Sequence, residues 1–170
     1  TGHKFVHHYL PLLPLAPLWN VEISGIDLRA ILSDERFQRI GSLQVGIGGQ
    51  AFEALLASPH KINIAELNVP YAGAKVQATR VLCDPIAMPN LARLNLDSSY
   101  LGDEGLALIS QSPLAERLTK LSLVSNKIGP VGARIFATSG SFQRLQSLEL
   151  GYDTPGDGIV AELTEHANLP

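Results

Sequence analysis

One spacing constrains this chain more than anything else in it. Leu118, Leu121 and Leu123 stand at LxxLxL, followed by Asn126, Ile128, Gly129 and Gly132. The frame recurs at Leu91, Leu94 and Leu96 with Gly102 and Gly105, and again at Leu145, Leu148 and Leu150. Three weaker copies come earlier. The first apolar positions are Leu18, Ile40, Ile64, Leu91, Leu118 and Leu145, at intervals of 22, 24, 27, 27 and 27. The second are Val21, Leu43, Leu67, Leu94, Leu121 and Leu148, and the third are Ile23, Val45, Val69, Leu96, Leu123 and Leu150. Alternation across the last two positions is strand-like and turns the residue between them to the opposite face. A period of this length marks stacked supersecondary units, none of which can bury its own apolar face.

A second register lies downstream. Leu55, Leu82, Ile109, Phe136 and Leu163 are each 27 residues apart. The surrounding segments, such as DEGLALIS and PVGARIFA, carry a helical pattern. Small residues open them: Gly48 and Ala51, Gly102 and Gly105, Gly129 and Gly132. Residues without bulk there are expected to let helix and strand backbones approach closely. Ser58-Pro59, Asp84-Pro85 and Ser112-Pro113 punctuate the helix ends, as residues that cannot continue a helix do. The path from helix to next strand keeps one length, and the early repeats have lost residues only between strand and helix.

Strand, loop, helix and return in one period resembles the leucine-rich repeat. The run LxxLxLxxNxIGxxGA at 118 to 133, with its weaker copy at 91 to 107, resembles the ribonuclease-inhibitor-like subclass. The stretches LAPLWNVEISGIDL, LLASPHKINIAELNV and SPLAERLTKLSLVSNKIGPVGA are similar to bacterial repeat proteins whose array follows a short repeat-companion domain. The resemblance implies an α/β fold, a right-handed solenoid bent into a horseshoe arc. Six parallel strands would line its concave face and helices its convex face. Residues 18 to 170 would form the repeat domain. Residues 1 to 17 would cap its open end, because a stacked array exposes an apolar cross-section. The proline spacing of Pro11, Pro14 and Pro17 favours polyproline geometry over a helix there. The asparagine of the family pattern stands only at Asn126, with Ser99 and Asp153 in the equivalent places of the flanking repeats. The early loops are therefore expected to be irregular.

Composition narrows the function classes. A formal charge of −3 gives no basic footprint for nucleic acid. No apolar run reaches the roughly 20 residues of a membrane span. The single cysteine, Cys83, excludes an intramolecular disulfide framework and fits a reducing, cytoplasmic setting. It follows core position Leu82 and reads as a buried small hydrophobe. His3, His7 and His8 cluster without the fixed spacing a metal site needs. The glycines of GIGGQA at 46 to 51 read as a shortened loop, since stacked repeats offer no switch-point crevice for a dinucleotide. No catalytic set converges by register, so neither an enzyme, a cofactor nor a metal is expected.

What remains is a surface. The residues between the second and third apolar positions are Glu22, Gln44, Asn68, Asn95, Ser122 and Glu149. The row before them is Asn20, Ser42, Glu66, Arg93, Lys120 and Ser147. Both are polar and mixed in sign, as a concave recognition face would be. Tyr71 and Tyr152 each lie two residues past the third apolar position, three periods apart, with Tyr100 two residues deeper in an intervening loop. Tyrosine supplies large rigid area with a polar tip and is enriched at binding hot spots. The sequence thus points to a module that binds a protein or peptide through this face and its tyrosine edge. The alternative is a regulatory subunit of an enzyme, of inhibitor or GTPase-activating type, which rests on fold analogy.

Overall fold

The computed structural model describes residues 21–24, 32–46, 49–61, 63–73, 76–151 and 158–166. Within them short strands alternate with helices. Strand β1 (Val21–Ser24) precedes a 3-10 helix (Glu35–Arg39) and β2 (Ser42–Gly46). Helix α1 (Gly49–Ala57), β3 (Glu66–Asn68), α2 (Val76–Leu82) and β4 (Arg93–Asn95) follow. Then come α3 (Gly102–Ser110), β5 (Lys120–Ser122), α4 (Pro130–Thr138), β6 (Ser147–Glu149) and α5 (Gly158–His166). The sheet runs in chain order from β1 to β6, with every neighbouring pair parallel. This is an α/β architecture compatible with a solenoid-like stack. Parallel neighbours require a crossover between them, and here α1 to α4 supply it from β2 onward.

The register follows the sequence period. Leu43, Leu67, Leu94, Leu121 and Leu148 are cross-strand partners in one line. Leu43, Leu67, Leu94 and Leu121 are buried, as are Val45, Val69, Leu96 and Leu123 one turn of the pleat further on. Leu55, Leu82, Ile109 and Phe136 meet them from the helices and are buried too. The first apolar positions Ile40, Ile64, Leu91 and Leu118 close the core at the return side. Three apolar strand-side residues and one helical anchor per period thus join into one cluster. Burying a leucine is worth roughly 1.5–3 kcal/mol, so the stack is held mainly by this line of side chains.

Several expectations need correcting. Leu148 is half-buried, as are Leu145, Leu150 and Leu163, because no further repeat covers them among the described residues. Cys83 is half-buried at the core's edge. The small residues at Gly105 and Gly132 serve a different neighbour from the strand. A Cβ on Gly132 would strike the Asp103 side chain of the preceding helix, and one on Gly105 would meet Leu101. Val81, Leu108 and Ile135, also one period apart, form an outer helix column; Val81 is exposed and the other two half-buried. Glu162 ends that column, and its carboxylate pairs with Arg134 at 2.6 Å. The 3-10 helix at Glu35–Arg39 was not foreseen; it places Phe37 in the core. The amino-terminal segment 1–17, the histidines His3, His7 and His8, and Tyr152 lie outside the described residues.

Candidate binding face

The helices cover one side of the sheet, and the other carries the polar rows. Glu66, Arg93 and Lys120 stand side by side on β3, β4 and β5, because Glu66 is in register with Arg93 and Arg93 with Lys120. The second row, Gln44, Asn68, Asn95, Ser122 and Glu149, runs parallel to it. Glu22 lies in β1 opposite Gln44. Arg93 pairs sideways with Glu66 at 3.0 Å, and Lys120 reaches diagonally to Glu149 at 2.9 Å. The Lys120 bond and its positive charge hold the Glu149 carboxyl below its usual range. In return the bond to Glu149, then its charge and those of Glu66 and Asp97, hold the Lys120 ammonium above its own. Both pairs lie in water and contribute little to stability, but they fix where the charges sit.

Asp97 organises the centre of this face. Its Oδ1 accepts from the Ser122 hydroxyl at 2.7 Å and from the Val124 amide at 2.8 Å, both on the next repeat. Its Oδ2 accepts from Asn95 Nδ2 at 3.0 Å, while Asn95 Oδ1 accepts from the Asp97 amide at 2.8 Å. Ser122 also donates toward Glu149 at 3.3 Å. The outcome is a correction: Ser122, placed by its row on the open surface, is buried beneath these carboxylates at 1% exposure. Asn68 differs from its neighbours. Its Nδ2 donates to Gln44 Oε1 at a long 3.4 Å, and its Oδ1 is shielded with no hydrogen-bond partner. An unsatisfied shielded acceptor costs about 1–3 kcal/mol. Asn68 borders a depression of about 90 Å³ lined also by Glu66, Arg93, Asn95 and Lys120.

The edge beyond the strands has a repeating backbone. Tyr71, Ser98 and Ser125 are left-handed, at φ of 59°, 54° and 58°. So are Gly73, Tyr100 and Lys127, two residues on in each loop, at 55°, 60° and 59°. The first column has a clear cause. Each left-handed turn aims its amide at the next repeat: Tyr71 N donates to Asp97 O, Ser98 N to Val124 O and Ser125 N to Gly151 O, all at 2.8 Å. Side chains other than glycine adopt this conformation at a cost of about 1–2 kcal/mol. Tyr71 and Tyr100 nevertheless stand there, 69% and 67% exposed. Lys127 Nζ lies 5.2 Å from the centre of the Tyr100 ring, a cation–π contact between neighbouring loops.

Of the residues expected from sequence, the structure brings Gln44, Asn68, Asn95, Glu149, Arg93 and Lys120 onto one face, with Tyr71 and Tyr100 on the loops at its edge. Sequence reasoning passed over Asp97, which follows the strand in the alternating run Asn95-Leu96-Asp97. It also passed over Lys127, whose column could have been read from Tyr100 by adding one period. No metal-holding group of three or more His, Cys, Asp or Glu side chains occurs among the described residues. No described helix is long and apolar enough to cross a membrane. A scan against protein-family models and a search of the curated proteins find no match to this chain.

Proposed function

We propose that the chain is a leucine-rich repeat module of the ribonuclease-inhibitor-like kind. Its strands would line the concave side of a right-handed arc and recognise a protein or peptide there. The observation that carries this reading is the pair of exposed tyrosines held at left-handed positions of the loops beside the face. Gly73 holds the Tyr100 column without strain, and Ser98 and Ser125 hold the Tyr71 column, so neither position requires a tyrosine. At two-thirds exposure both tyrosines leave most of their surface open to a partner. Rigid placement also helps binding, because little side-chain and loop freedom is left to lose. The charges of the face are matched internally by Glu66–Arg93 and Lys120–Glu149. That matching disfavours a strongly basic or acidic partner and favours one read by shape and hydrogen bonds.

Glycine substitution tests this directly. Tyr71→Gly with Tyr100→Gly removes both rings while suiting both left-handed positions. A partner captured by cross-linking should bind the double variant at least tenfold more weakly, about 1.4 kcal/mol. Stability should stay within about 1 kcal/mol of the parent. Undiminished affinity in the folded variant would remove the tyrosine edge from the interface.

A further inference from the structure

We propose that the depression over β3, β4 and β5 is a subsite for a neutral amide, the main-chain peptide unit or side-chain carboxamide of a bound segment, with Asn68 as its acceptor. The proposal rests on the peptide-binding reading above and names the chemistry at its centre. Size comes first. About 90 Å³ is room for a small group on the scale of a single peptide unit.

Charge comes next. An anion seated here would meet Glu66, with Asp97 and Glu149 close enough to act on Lys120. A cation would meet Arg93 and Lys120 at the rim. Each of those cations already has a carboxylate within 3.0 Å. Neither kind of ion finds a net field of the opposite sign. A group that both donates and accepts finds both kinds of partner: N–H groups of Arg93 and Lys120, and oxygens of Glu66 and Asn68.

The unpartnered Asn68 Oδ1 gives this subsite its acceptor. It is shielded in its present rotamer, but only the 3.4 Å contact to Gln44 holds the carboxamide there. The last torsion of asparagine is broad, and the proposal requires it to turn so that Oδ1 faces the depression. Asn95 cannot do the same, because both ends of its amide are engaged with Asp97. Asn68 is therefore the adaptable member of the row.

The test is a nuclear magnetic resonance titration of the full chain with three small probes at matched ionic strength: N-acetylglycine N-methylamide, acetate and methylammonium. The amide should move the Asn68 side-chain NH₂ pair saturably, and the two ions should not. Asn68→Leu should weaken the amide at least tenfold. The comparison of probes on the parent chain stands even if that variant folds poorly. A stronger response to either ion overturns the proposal, as does a response that survives Asn68→Leu or the absence of a saturable response. Absence of a response with tyrosine-dependent partner binding intact rejects the subsite alone; loss of both rejects the peptide-binding reading with it.

Discussion

Asn126 shows how much a single side chain can hold in a stacked fold. It is fully buried, and its Oδ1 accepts from the amides of Ser99 and Leu101 at 3.0 and 3.3 Å. Its Nδ2 donates to the carbonyls of Leu96 and Val124 at 2.9 and 3.3 Å. Three of those four groups belong to the preceding repeat. Asn126→Ala leaves them without partners away from water, so chemical denaturation should show a loss of at least about 3 kcal/mol. Asn126→Ser should recover part of it. Ser99 already plays the lesser role one repeat earlier, accepting from the Ala72 amide at 3.1 Å and donating to Asp97 O at 3.2 Å. Of the early loops, expected to be irregular for want of asparagine, the one after β3 keeps the left-handed pattern at Tyr71 and Gly73 with Ser99 beside it. Cys83 offers a second test at this scale. Burial raises its thiol pKa, partly offset by a hydrogen bond with Ser112. A raised pKa means less thiolate at a given pH, and the associated stability is lost as pH rises through the folded value. Reaction with a disulfide reagent at pH 8 should therefore be slower than in denaturant, and should keep rising above the pH where an ordinary thiol levels off.

Between elements, the junction of α3 and α4 was not legible in the sequence. Asp103 sits in the first turn of α3, where its charge suits the helix dipole. Its Oδ1 also accepts from the amide of Gly129, the N-cap of α4, at 2.7 Å. One carboxylate thus serves two helix starts, and Gly132 leaves the room for it. Gly132→Ala would push the carboxylate away, so a loss of about 1–3 kcal/mol is expected in thermal or chemical denaturation. Gly102→Ala tests a different cause, since its Cβ would touch nothing within 4 Å and only the positive φ of 62° opposes it. The strands and buried helix faces were readable because they depend on periodicity, which is local. Helix-to-helix contacts depend on where the returning chain sets the next helix, and a one-dimensional pattern does not contain that distance. Ser122 fails for the same reason: its row predicts the face, while Asp97 crossing from the previous repeat decides the burial.

For the molecule as a whole, the consequence of stacking is that stability varies along the chain. Each repeat contacts its neighbours, so interior units are held from two sides and a terminal unit from one. Leu121 is buried with a strand on either side, while Leu148, in the same cross-strand line, is half-buried on β6. The substitution is chemically identical at both, so the difference isolates position in the stack. Leu121→Ala should cost about 2–5 kcal/mol, and Leu148→Ala distinctly less. Hydrogen exchange should follow the same gradient. The amides of β4 and β5 face bonded neighbours on both sides, and residues 145–151 and 158–166 should exchange fastest among the described repeats. Leu121→Ala should also raise exchange in β4 and β6, since the cavity weakens two interfaces at once. Equal costs at the two leucines, with strong protection of 158–166, would mean that the last repeat is covered in solution by something beyond the described residues. In that case the half-buried Leu145, Leu148, Leu150 and Leu163 would be an occupied interface rather than an end.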